Sequence, residues 1–138
     1  MTIGNNGICC NGAIAISESL QSNSFITFLD LSNNNISAEG AKSISELLAI
    51  NSTLTTLYLQ GNTIGDVGAQ YIFKSLHFNT TLTTLYLFCN NIGNNGALAI
   101  AKALEINSTL TVLHLWDNEF GTSAGEAISD TLLSNFTL

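Results

Sequence analysis

The residues of this 138-residue chain that could do chemistry fall into three groups. The first is aromatic: Tyr58, Tyr86, Phe88, His114 and Trp116, with the acids Asp117 and Glu119 nearby in sequence and Asp30 further off. Clustered, exposed rings are what protein interfaces use as anchors. The second is an acid–base set, His114 with Asp117 or Asp30. General acid–base work needs a histidine held against its partner inside a pocket. Neither His114 nor His77 has a Ser–Asp or Cys partner in the repeat geometry. The third is three thiols, Cys9, Cys10 and Cys89. Cys9 and Cys10 adjoin a turn with no histidine near, so no metal set is expected. The expectation is a non-catalytic chain with no cofactor, whose aromatic residues form the site.

What must position these rings is a 28-residue repeat. Ser52–Asn79 and Thr80–Asn107 align without a gap, and five copies make up the chain. The leucine-rich stretches run Ile26, Leu29, Leu31, Asn34, Ile36; then Leu54, Leu57, Leu59, Asn62, Ile64; then Leu82, Leu85, Leu87, Asn90, Ile92; then Leu110, Leu113, Leu115, Asn118, Phe120. Such a period is the mark of a solenoid. The repeats fall at 1–23 (partial), 24–51, 52–79, 80–107 and 108–135, with 136–138 starting another. All belong to one domain.

Alternation at Leu57-Tyr58-Leu59 predicts a short strand with leucines inward and the intervening residue outward. The second half of each copy changes period: Ala41, Ile44 and Leu48, like Ala69, Ile72 and Leu76, have helical spacing. About five short parallel strands and five helices follow, each burying its apolar side against its neighbours. Helix N-caps are expected at Ser37, Asp66, Asn94 and Thr122. Gly12, Gly40, Gly68 and Gly96 would permit close approach at the helix starts; the last copy swaps the pair to Ala124-Gly125. Two asparagine series, Asn6 to Asn118 and Asn23 to Asn135, are expected to satisfy backbone groups at the turns.

The strand alternation sorts the outward residues into columns. One is Thr2, Asp30, Tyr58, Tyr86, His114; another is Gly4, Ser32, Gln60, Phe88, Trp116; a third is Phe28, Thr56, Thr84, Val112. The five rings named first would form one contiguous patch toward the C-terminal half, with Asp117 and Glu119 at its edge and Asp30 isolated toward the start.

The combined pattern L-x-x-L-x-L-x-x-N-x-I-G-x-x-G-A resembles the ribonuclease-inhibitor-like subfamily of leucine-rich repeats. It looks most like the repeat regions of NACHT-type receptors. The resemblance covers essentially the whole chain. It implies an α/β leucine-rich repeat solenoid, a horseshoe arc with strands on the concave face and helices on the convex face. It also implies a protein-binding role on the concave face. Ribonuclease inhibitors proper alternate two repeat types and are cysteine-rich, which this chain is not. Ran GTPase-activating proteins depend on an arginine, and this chain has none.

The net charge is -7, with only Lys42, Lys74 and Lys102 as cations. That argues against nucleic acid or an anionic membrane as partner and is compatible with a basic protein. No apolar run is long enough for a membrane span and no leader is recognisable, so free thiols in the cytoplasm are expected. Neither end reads as a polar cap. The preferred explanation is a segment of a longer receptor or repeat protein; end-to-end self-association and a frayed, marginal array are the others.

Overall fold

The computed structural model describes residues 1–135 and 137–138. Phe136, expected to open a further repeat, lies outside them. The element order is α1 (Cys9–Leu20), β1 (Phe28–Asp30), α2 (Ala38–Ile50), β2 (Thr56–Tyr58), α3 (Gly65–Leu76), β3 (Thr84–Tyr86), α4 (Asn94–Leu104), β4 (Val112–His114) and α5 (Thr122–Leu132). The strands form one parallel sheet in the order β1-β2-β3-β4. Leu29, Leu57, Leu85 and Leu113 are in register across it. The first expected strand is reduced to a bridge between Thr2 and Asp30. The sheet lines the concave side of the arc and the helices the convex side.

The core is a leucine column. Leu29, Leu31, Leu57, Leu59, Leu85 and Leu87 are fully buried, and Ile44, Ile72 and Ile100 of the helices close over them. At the far end Leu113 and Leu115 are only half-buried, because no further strand lies beyond β4 among the described residues.

Both asparagine series do the backbone work expected of them. Asn62 Oδ1 accepts from the N–H groups of Asn34 and Ile36, each at 3.0 Å. Its Nδ2 donates to the carbonyls of Leu31 (3.1 Å) and Leu59 (2.8 Å). In the other series Asn51 Oδ1 accepts from Thr53 and Leu54, while Nδ2 reaches back one repeat to Leu20 and Asn23. A buried turn must pair its amides, and one side chain per corner stitches consecutive repeats together.

None of the four expected N-caps makes a capping bond to its own helix. Ser37 occupies the N-cap of α2 but its side chain makes no capping bond there. Asp66, Asn94 and Thr122 lie inside the first turns of α3, α4 and α5. Two of them serve the following helix instead. Asp66 Oδ1 accepts from the N–H groups of Gly93 (2.6 Å) and Gly96 (2.8 Å), and Asn94 Oδ1 from Gly121 (2.7 Å). Stacked repeats bring helix N-termini side by side, so a side chain one repeat earlier reaches the orphan donors.

The helix-start glycines mark close approach. A Cβ on Gly68 would stand 2.5 Å from Ile64 Cγ2, 3.0 Å from Ala41 Cβ and 3.2 Å from the Ala38 Cα. Ala124 is tolerated in the last copy because Phe120 replaces the isoleucine and lacks that Cγ2 methyl. A Cβ on Gly125 meets nothing within 4 Å. A helical Gly→Ala ordinarily gains about 1 kcal/mol. Gly125→Ala should show roughly that gain, whereas Gly68→Ala should lose about 1–2 kcal/mol to overpacking. Paired urea titrations measure both.

Candidate partner-binding face

Each strand is three residues long, with its middle residue in the core and its flanking residues half-exposed at β1, β2 and β3. Parallel pairing without slip then places Asp30, Tyr58, Tyr86 and His114 side by side. Neighbouring strands lie about 4.8 Å apart, close to the stacking distance of aromatic rings. Tyr58 and Tyr86 have ring centroids 4.3 Å apart, and His114 stacks on Tyr86 at 4.4 Å and 23°. Phe88 and Trp116, two positions on, stack at 4.0 Å and 13°. A Tyr86–Phe88 contact at 6.2 Å joins the two stacks. All five rings expected at the site are therefore brought together, and Trp116 keeps 58% of its surface exposed.

The row extends further than the sequence reading placed it. Phe28 packs edge-on against Tyr58 at 5.1 Å. It stood in an outward column, and that position was the signal for it. Gln60 sits in the column of Phe88 and Trp116, and its Oε1 is buried without a hydrogen-bond partner among the described residues.

The acids behave differently from the rings. Asp30 Oδ1 accepts from the Ser32 N–H (3.0 Å) and hydroxyl (2.7 Å) at the β1 end. Asp117 lies beyond β4 with φ +56°, and its Oδ2 accepts from the Cys89 thiol at 3.0 Å. The same register position holds Asn5, Asn33, Gly61 and Cys89, all with positive φ. Asp117 therefore also serves a left-handed turn that Asp and Asn adopt more readily than most residues. Glu119 accepts from Asn91 Nδ2 at 2.7 Å. His114 is stacked on a ring, and Asp117 is engaged by a thiol. Among the described residues no group of three or more His, Cys, Asp or Glu could hold a metal ion.

Burial pushes the Tyr58 phenol above its ordinary value, with Tyr86 adding to the shift, so it stays a neutral hydrogen-bonding group. The thiols diverge. The Asp117 carboxylate accepting from Cys89 pushes that thiol up, with burial assisting. Cys10 is pulled down by the hydroxyl of Ser37, 3.0 Å from its Sγ, and then by the Ser37 N–H. The thiolate is the nucleophile, so a raised pKa moves reaction to higher pH. The pH–rate profile for iodoacetamide should therefore have a lower midpoint at Cys10 than at Cys89. Asp117→Asn should move the Cys89 midpoint down. Peptide mass spectrometry after timed alkylation reads both.

The leucine rich repeat family model matches residues 22–45, 51–73, 78–101 and 107–129, one segment per complete repeat. The chain belongs to the leucine-rich repeat family. Among solved structures this leucine-rich repeat chain is similar to leiomodin-1 actin-binding site 2. The two share 28% identity and a TM-score of 0.85, over 98% of this chain and 79% of that one. It is also similar to the tropomodulin C-terminal domain of Caenorhabditis elegans, at 18% identity and a TM-score of 0.81, over 99% and 83% of the two chains. The second likeness concerns the fold alone. No curated protein matches the chain. No helix among the described residues is long and apolar enough to cross a membrane.

Proposed function

We propose that this repeat array is a non-catalytic protein-binding module whose contact surface is the concave aromatic row, with Trp116 and Tyr86 as its anchors. The observation that carries this is the row itself: six rings in two linked stacks on one open face, ending in a largely exposed indole. Stacked, pre-ordered rings lose little entropy on binding, and tryptophan and tyrosine are favoured anchors. Tyr58, Phe88 and His114 complete the platform, and Asp30 and Asp117 border it. With no lysine or arginine in the outward columns, the face fits a protein surface that presents basic groups.

The likeness to leiomodin-1 actin-binding site 2 makes actin the first candidate partner. Calorimetric titration with monomeric actin should give saturable heat with the intact chain and roughly thirtyfold weaker binding with Trp116→Ala. No heat with the intact chain removes actin from the reading. Equal heat with the variant places the contact away from the rings. The 28-residue period with a helix in every repeat supports assignment to the ribonuclease-inhibitor-like subfamily, the type found in NACHT-type receptors. Three free thiols support a cytoplasmic setting.

A second reading is end-to-end association. A cavity of about 340 Å³ opens at the far end of the core, lined by Leu104, Leu113, Leu115, Ile128, Leu132 and Leu138 among others. A further repeat or a second copy would cover it. Light scattering against concentration tests self-association: a constant monomer mass contradicts it.

A further inference from the structure

The convex side carries a feature that concave binding does not use. Between α2 and α3 lies a groove of about 280 Å³, lined by Lys42, Glu46 and Ala49 on one wall and Tyr71, Lys74 and Phe78 on the other. The chain holds three cations against ten acids, and two of the three stand in this groove beside a single carboxylate. Its lining residues thus carry one net positive charge on a chain of net charge -7. The serine hydroxyls that also line it are engaged: Ser45 Oγ donates to the Lys42 carbonyl (2.6 Å) and Ser75 Oγ to that of Ile72 (2.7 Å). The polar groups left for recognition are the two ammonium groups, the Glu46 carboxylate and the Tyr71 hydroxyl. The apolar part is open as well. Phe78 is 78% exposed, and Tyr71 is exposed beside it.

We infer that this convex groove is a second docking site, and that its occupant is an acidic peptide segment of a partner protein carrying an aromatic side chain. The aromatic side chain lies against Tyr71 and Phe78, and the flanking carboxylates meet Lys42 and Lys74. Charge complementarity selects this occupant. A basic segment would meet two ammonium groups against one carboxylate, and a purely apolar one would gain nothing from either lysine. The volume is at the small end of ligand pockets, which suits one side chain with its adjoining backbone. The site lies on the opposite side of the arc from the aromatic row, so either can fail without the other.

The test is an amide NMR titration of the intact chain with N-acetyl-aspartyl-phenylalanyl-aspartyl amide. Shifts should be confined to residues 42–49 and 71–78, with half-saturation at roughly millimolar peptide. Lys42→Glu with Lys74→Glu should weaken binding at least about tenfold, and Lys42→Gln with Lys74→Gln by less. Both lysines are exposed, so neither pair of changes disturbs the core. The peptide with lysyl in place of aspartyl should move no amide. The inference is overturned if the intact chain shows no shifts in those two ranges. It is equally overturned if shifts survive the charge reversal, or arise instead along the concave strands.

Discussion

Asn62→Ala should lower stability by about 4 kcal/mol, because the side chain is buried and pairs buried backbone groups. Three buried backbone groups lose their partner at once: the N–H groups of Asn34 and Ile36 and the carbonyl of Leu31. The Leu59 carbonyl keeps a bond from Asn90 Nδ2 at 2.9 Å. Each orphaned buried group costs about 1–3 kcal/mol, and a water entering the vacated space recovers part of it. Domains of this size are stable by only about 5–15 kcal/mol, so the variant should sit near its unfolding midpoint at low urea. Asn6→Ala is the internal comparison. Asn6 occupies the same corner but is exposed, and its Nδ2 donates only to the carbonyls of Ile3 and Gly4 within its own turn. That variant should change stability by about 0.5 kcal/mol or less. Equal losses at the two positions would mean that the ladder is not what joins the repeats.

Much of this was legible in the residues. The 28-residue period and the switch from alternating to helical spacing determine strand, helix and register. That register alone assigns Tyr58, Tyr86, Phe88, His114 and Trp116 to one open face. Ser37 stands at the N-cap expected for it, but capping rules are local, whereas Asp66 and Asn94 act on the next helix. That interaction exists only once repeats are stacked. Asp117 looked like a border charge, and its left-handed backbone and its thiol neighbour one repeat earlier are three-dimensional facts. Phe28 was missed for a related reason: it pairs diagonally with Tyr58, outside its own column. The groove between α2 and α3 joins residues about 30 positions apart, and only the helix packing reveals it.

Trp116→Ala carries the largest functional effect expected. Its ring stacks on Phe88 alone among the described residues and is largely exposed, so deletion should shift the melting temperature by only a few degrees. At an interface, loss of an anchoring tryptophan typically costs about 2 kcal/mol or more, roughly thirtyfold in affinity. Tyr86→Ala should weaken binding comparably. It should also cost about 1 kcal/mol of stability, because Tyr86 is wedged between Tyr58 and His114 in register. A large stability loss from Trp116→Ala would show that the indole is structural.

The central claim, that the concave rings are the binding face, is tested most directly by comparing one partner on two variants. Affinity for monomeric actin should be measured by calorimetry for the intact chain, for Tyr86→Ala with Trp116→Ala, and for Asn95→Ala, an exposed site on α4. The account predicts unchanged affinity for Asn95→Ala and a loss of at least about a hundredfold for the aromatic pair, with all three chains folded. Equal affinity across the three would contradict it.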